Sequence, residues 1–370
     1  MEIVGIVTLL TSFIITLILT LFVRYLAHTW HFVDAPGPRK IHTTPIALGG
    51  GIAIFGGIVF TFVLGLLSAY FLKNTPFDIL PAVIYKYLPG VFVMLPKLGI
   101  IFCGGLFIFL IGLVDDLKGL SAWWKLGLEV LVGLFLVING ISLSLFLESN
   151  PLGHFISGFI TIIWIVGIIN AFNMLDHMDG LCSGVVSLVS IIFLITALQT
   201  GQYFIACALF ALIGTSLAFL IFNIHPASIF MGDTGSLFLG FIIAVLTILF
   251  TFYRLPYPRY SILTPLLVCA IPLFDMLRVV FIRLKNHRPL FQGDTNHFAH
   301  RLVALGMNMR AAVFFIYLIT FGTGMSAVLL YHVKAQRIGP VLVVGQVIIF
   351  LAIFTLLEEV GRKRKSHQNK

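Results

Sequence analysis

The sequence predicts an all-α, polytopic integral membrane fold with about eleven membrane-spanning helices. Three observations carry this expectation. Mean hydropathy is +1.09. Of 370 residues, 59% are hydrophobic and only 10% charged, a balance typical of chains whose helices face lipid. Apolar stretches of roughly 17–25 residues, each long enough to cross the hydrocarbon core, recur along the whole chain.

In order, the predicted spans are 2–23, 47–72, 98–114, 126–147, 156–171, 183–199, 203–222, 237–252, 262–280, 311–331 and 339–357. The first follows Glu2 and lacks a basic leader and a small-residue cleavage site, so it reads as an uncleaved span. Residues 77–96 are apolar too, but Pro76, Pro81, Pro89 and Pro96 predict an interfacial or re-entrant loop there. The chain then divides into one membrane-embedded domain, 1–357, and a basic tail, 358–370. In that tail Arg362, Lys363, Arg364 and Lys365 suit topology and attraction to anionic lipid. The glycine-rich stretch 49–57 reads as close helix packing rather than a phosphate loop. Cys103, Cys182, Cys207 and Cys269 show no metal-ligand spacing and imply neither disulfides nor zinc. Net charge is +9, but the basic residues are spread over membrane loops, which argues against nucleic acid as a partner.

Sidedness follows from the basic residues. With the N-terminus outside and the C-terminus inside, 16 of the 23 Lys and Arg fall on the cytoplasmic side and 7 outside. Asp34, Asp115, Asp116, Asp176, Asp179, Asp233 and Asp294 fall on that same basic face. The orientation rule hardly depends on acidic residues, so this gathering calls for another cause. It points to a site that handles anions through metal ions.

Four segments carry the candidate chemistry. Asp115 and Asp116 end the third span, and two adjacent like charges at a membrane boundary need a cation or a proton. Lys125 follows, beside Trp123 and Trp124, at the level of a lipid headgroup; a lysine there suits a lipid phosphate, and simple snorkelling accounts for it equally. Asn170, Asn173, Asp176 and Asp179 recur every three residues, a polar row too costly for a span end unless it lines an aqueous cavity. Asn223, His225, Phe230 and Asp233 come next, the last flanked by Gly232 and Gly235; Asp233 is the oxygen donor that a hard cation such as Mg²⁺ takes. The late loop 281–310 holds Arg283, Lys285, His287, Arg288, His297, His300 and Arg301, a set suited to pyrophosphate.

The ordered set R-K-x-H, D-D with a following lysine, N-x-x-N-x-x-D-x-x-D-G, F-M-G-D-x-G-S and D-x-N-H-x-x-H-R-L resembles the polyprenyl-phosphate N-acetylhexosamine-1-phosphate transferase superfamily (glycosyltransferase family 4) over about residues 34–306. It is more similar to the WecA/TagO type than to the MraY type. The resemblance implies transfer of a sugar-1-phosphate, most simply GlcNAc-1-phosphate, from a UDP-N-acetylhexosamine to undecaprenyl phosphate with release of UMP. It also implies Mg²⁺ or Mn²⁺ as cofactor and a site on the cytoplasmic side of the bacterial inner membrane; a homodimer stays open. By position, Asp233 matches the metal-binding aspartate, joined by Asp176, and Asp115 the aspartate that deprotonates or positions the lipid phosphate, with Asp116 beside it. Lys125 matches the lysine near that phosphate. Asn173, Asp176, Asp179, Asn223 and Phe230 match positions around nucleotide and metal, Phe230 as a platform for uracil. Lys40 matches approximately, and His297, His300 and Arg301 match the sugar-pyrophosphate loop. Two departures stand out: Ala299 replaces one imidazole of that loop, opening roughly one imidazole's volume, and His177 lies between the two aspartates.

The rival class is a transporter or flippase, for which Glu129 and Asp275, within spans, would be coupling residues. Transporters place such groups near the midplane on broken helices, whereas these carboxylates gather at one face.

Overall fold

The computed structural model describes residues 2–35, 44–75, 82–143, 150–252, 259–289, 297–331 and 338–368. They form two compact units, Met1–Phe250 and Thr251–Lys370.

The first unit is a bundle of eight helices: α1 (Glu2–Thr29), α2 (Gly50–Asn74), α3 (Ala82–Lys118), α4 (Ala122–Ile138), α5 (Pro151–Leu175), α6 (Leu181–Gln199), α7 (Tyr203–Asn223) and α8 (Gly232–Leu249). Between α1 and α2 a short antiparallel pair, β1 (Val33–Asp34) and β2 (Ile46–Ala47), closes the connection. Helix α8 is the axis, packed against α2, α3 and α5. Burial follows that arrangement: 78% of its most apolar window is buried, against 22% for α1, whose outer face is left to lipid. Helix interiors of this composition satisfy their backbone groups internally, as a bilayer requires.

The second unit opens with a 3₁₀ turn, Arg259–Leu263, followed by α9 (Thr264–Val268), α10 (Ala270–Lys285), α11 (Phe298–Ala304), α12 (Met309–Leu330) and α13 (Ile338–Gln368). Helix α12 packs against α9, α10 and α11, and its Asn308 cap accepts from the Ala311 amide at 2.8 Å.

Eight helices among the described residues are long and apolar enough to cross a membrane, nine if one bent pair counts as a span. Two expectations need correction. Residues 82–96 are not a re-entrant loop; they are the first part of α3, with Pro89 and Pro96 inside it. Each proline removes a single amide donor, and the bonds on either side keep the helix running through it. The span 262–280 is not straight but breaks by 68° between Val268 and Ala270. Pro272 has no N–H to give the Val268 carbonyl four residues earlier, so the ladder stops there. The polypeptide is thus an all-α, multi-pass membrane protein.

Candidate active site

Asp115 and Asp116 occupy the last turn of α3, with the start of α4 beside them and the first turn of α8 against them. Successive residues on a helix project about 100° apart, so the two carboxylates serve different neighbours. Asp115 accepts from the Leu120 amide at 2.5 Å through Oδ1 and from Lys125 Nζ at 2.7 Å through Oδ2. Lys125 Nζ also donates to Asp233 Oδ2 at 2.5 Å. One ammonium, contributed by α4, thus ties the end of α3 to the start of α8 through ion pairs with both aspartates.

Asp116 turns the other way. Its Oδ1 accepts from the Asp233 amide at 2.8 Å, and its Oδ2 from the Thr234 amide at 3.0 Å and the Thr234 hydroxyl at 2.5 Å. A carboxylate at a helix N-terminus satisfies amides that lack intrahelical partners and meets the positive end of the helix dipole. Two glycines allow the fit. A Cβ on Gly112 would meet the Asp233–Thr234 backbone, and one on Gly232, whose φ is 67°, would meet the Asp116 carboxylate. The structure therefore gives Asp116, expected beside Asp115 in the chemistry, the task of fixing where Asp233 stands.

The polar row of α5 divides likewise. Asn170 donates to Glu129 Oε2 of α4, and Asn173 donates to Ser236 Oγ of α8 at 3.0 Å. Asp176 caps α5 just beyond its last turn. Burial, followed by the charges of Asp233, Asp116 and Asp179, raises its carboxyl well above the ordinary carboxylate value. Asp179 faces another way, its Oδ2 meeting His225 Nδ1 at 2.7 Å and the Ala227 amide at 3.1 Å. Asn223 is buried, and both ends of its amide are occupied. Oδ1 accepts from the Gly180 amide and the Ser183 hydroxyl, and Nδ2 donates to the Ile229 carbonyl at 3.0 Å. Asn223 and Asp179 thus brace the segment that leads to half-buried Phe230. One N–H of the Asn223 amide is left beyond these bonds.

The same segment is held from its other side. Ala47 O accepts from the Phe230 amide at 2.9 Å, while the Gly50 and Gly51 amides donate to the carbonyls of Phe230 and Met231. The glycine-rich start of α2 therefore packs against α8, and these two amides are used by protein carbonyls.

Among the other predicted residues, Lys40 lies outside the described residues. His297, His300 and Arg301 belong to the second unit, at the start of α11, with the two imidazole centroids 6.5 Å apart. Ala299, the position lacking an imidazole, is fully buried. The sequence marks Glu129 only as a coupling residue of the rival transporter class and singles out neither Thr234 nor Ser236. Glu129 stands one helical turn from Lys125 on α4, which is the signal that would have drawn it in.

The donors fit a divalent hard cation. Asp233 and Asp176 supply carboxylate oxygens within mutual electrostatic reach, and Asp116 and Asp115 add further negative charge against Lys125. Carboxylate oxygens are the donors that hard divalent cations take.

Comparison with known proteins shows the family. Residues 98–251 match the family model for glycosyl transferase family 4. A probable undecaprenyl-phosphate N-acetylglucosaminyl 1-phosphate transferase of Bacillus subtilis is 32% identical over 88% of this chain and 84% of its own length. A decaprenyl-phosphate N-acetylglucosaminephosphotransferase of Mycobacterium leprae is 31% identical over 84% of this chain and 79% of its own. The undecaprenyl-phosphate α-N-acetylglucosaminyl 1-phosphate transferase of Escherichia coli K12 is 30% identical over 82% and 78%. The chain belongs to glycosyl transferase family 4.

Proposed function

We propose that the protein transfers GlcNAc-1-phosphate from UDP-GlcNAc to undecaprenyl phosphate, releasing UMP and initiating a lipid-linked glycan of the cell envelope. The observation that carries this reading is the Lys125 bridge between Asp115 and Asp233, which gathers three helix ends at one point in a chain whose relatives are named for this transfer.

In the proposed reaction an oxygen of the polyprenyl phosphate attacks the phosphorus that bears the sugar. The new P–O bond forms as the bridge to the uridine-linked phosphorus breaks, and UMP leaves with that bridging oxygen. Phosphoryl transfer depends more on positioning and charge neutralisation than on covalent chemistry. Lys125 sets a positive charge against the acceptor phosphate, and Asp115 holds that phosphate and takes its remaining proton. Asp233 and Asp176 would hold Mg²⁺ (or Mn²⁺), which supplies charge neutralisation at the pyrophosphate. Asp116 fixes Asp233 through the start of α8, and Asn173 steadies the same helix through Ser236. Phe230 offers a face for uracil, with Asp179 and Asn223 bracing its approach. The resemblance assigns Lys40, His297, His300 and Arg301 to the nucleotide sugar. Direct attack is the simplest course; an aspartyl-phosphosugar intermediate is the alternative.

One substrate is a lipid and the other a soluble nucleotide, so the site belongs at the inner headgroup level of the cytoplasmic membrane. An orientation with the N-terminus outside and the C-terminus inside, which the bias of the basic residues favours, supports that reading. The transporter reading loses its support, since Glu129 is bonded to Asn170 and Asp275 to His297 within the protein.

A donor panel tests the proposal. Purified protein with undecaprenyl phosphate and Mg²⁺ is expected to release UMP from UDP-GlcNAc, and not from UDP-MurNAc-pentapeptide. UMP from another UDP-hexosamine alone would change only the sugar, whereas turnover of the peptide-bearing donor alone would overturn the placement.

A further inference from the structure

Along α8, away from the aspartates at its start, α2, α3 and α7 wall a lengthwise groove. Its volume is about 380 Å³, and every residue that lines it is apolar or glycine. Phe55, Phe102 and Phe238 lie toward one end, Leu66, Leu95 and Leu249 toward the other. Val63, Leu95 and Phe102 on its walls are exposed, so it opens toward the bilayer. A space of this chemistry excludes water, and within a membrane hydrocarbon is what fills it.

Three observations say which hydrocarbon. First, the end nearer the aspartates is sealed. A Cβ on Gly51 would meet the Thr234–Gly235 backbone and one on Gly112 the Asp233–Thr234 backbone, while Phe55 stacks on Phe109 at 4.2 Å. Second, Phe55 to Leu66 spans about 16 Å of helix, which matches the depth of one leaflet, about 15 Å or half the hydrocarbon core. Third, a cation stands at the far end. Two turns beyond Leu66, on the same face of α2, Lys73 is exposed, with Nζ 4.7 Å from the centre of the Phe92 ring of α3. No described carboxylate pairs with it.

We propose that this groove seats one acyl chain of an anionic phospholipid from the leaflet opposite the aspartates, with Lys73 against the lipid phosphate. The chain lies against the helix that carries Asp233 and fills the space between α2 and α3, and the ammonium selects the headgroup. The polyprenyl acceptor is a different lipid in a different place. Its phosphate is assigned to Lys125 of α4, a helix that contributes nothing to the groove, and the sealed end separates the two.

Native mass spectrometry of the full-length protein in detergent, offered palmitoyl-oleoyl phosphatidylglycerol or phosphatidylcholine, tests the proposal. The wild type is expected to retain one phosphatidylglycerol about fivefold better than phosphatidylcholine, the preference that a single lysine near a charged surface supplies. Lys73→Gln should retain the two lipids equally, because it removes the charge and leaves the groove. Gly99→Phe is the obstruction. Gly99 lines the groove and a Cβ there meets nothing within 4 Å, so the ring has room to enter without displacing a neighbour. This variant is expected to lose the bound lipid of either kind, together with the rise in melting temperature that phosphatidylglycerol gives the wild type. Val63→Trp blocks the groove from the α2 wall and should do the same, whatever the yield of folded Gly99→Phe. Equal retention of the two lipids by the wild type would overturn the proposal, as would undiminished retention by the obstructed variants. Displacement of phosphatidylglycerol by undecaprenyl phosphate would give the groove to the acceptor's chain and overturn it too. None of these outcomes touches the assignment of the sugar donor.

Discussion

The two sides of the α3 terminus show how one pair of identical residues acquires two roles. On the side toward α4, Asp115 shares Lys125 with Asp233, and its charge is balanced by an ammonium divided between two carboxylates, the group proposed to face the acceptor phosphate. On the side toward α8, Asp116 is committed to the Asp233 and Thr234 amides and the Thr234 hydroxyl. The first side pairs side chain with side chain, and the second ties a side chain to backbone. Adjacent residues on a helix point in different directions, so a doublet at a helix end can serve a reacting group and the scaffold beneath it.

Substitutions can break or sharpen that contrast. The largest effect is expected from Asp233→Asn, which touches both sides. A neutral amide is a poor ligand for a hard cation, so turnover should fall by about 10³-fold or more, with a higher Mg²⁺ requirement for any residual activity. Near-normal UMP release at ordinary Mg²⁺ would remove Asp233 from the metal site.

Next come the two neighbours, compared directly. Asp115→Asn should lower kcat by about 10²–10³-fold while UDP-GlcNAc binding, read by calorimetry, stays close to wild type. Asp116→Asn should instead set an NH₂ against the Thr234 amide, costing about 1–3 kcal/mol of stability, with a smaller, roughly tenfold, loss of turnover. Thermal unfolding in detergent distinguishes them: the melting temperature should drop for Asp116→Asn and hold for Asp115→Asn. Equal melting temperatures with equal losses of kcat would erase the contrast.

The smallest effect is expected at Gly232→Ala. Its left-handed φ costs a non-glycine residue about 1–2 kcal/mol, and the added methyl would press on Asp116. Combined with Asp116→Asn, the loss of stability should be less than the sum of the two, since both act on one contact. Full additivity would place the Gly232 effect elsewhere.

The composition and the recurring apolar runs by themselves determined that this is an all-α membrane protein, because burial in lipid is a property of each segment and needs no knowledge of its neighbours. The ordered motifs likewise carried the family, since their residue types and spacings lie along the chain. Local reasoning failed where the outcome depended on context. Pro89 and Pro96 predict a break, yet α3 continues, while Pro272 sits where the predicted span does break. What only the tertiary structure decided is which polar groups meet. Asp115 and Asp116 are equivalent in sequence until α4 and α8 arrive on opposite sides, and nothing in the spacing of Asn223 shows that Gly180, Ser183 and Ile229 bond to its amide. Asp275 and His297 stand 22 positions apart, joined by α10 and α11 rather than by any spacing. Hydrogen bonds and ion pairs act over about 3 Å, and distances that short between separate helices are set by packing, which a linear pattern of residue types does not contain.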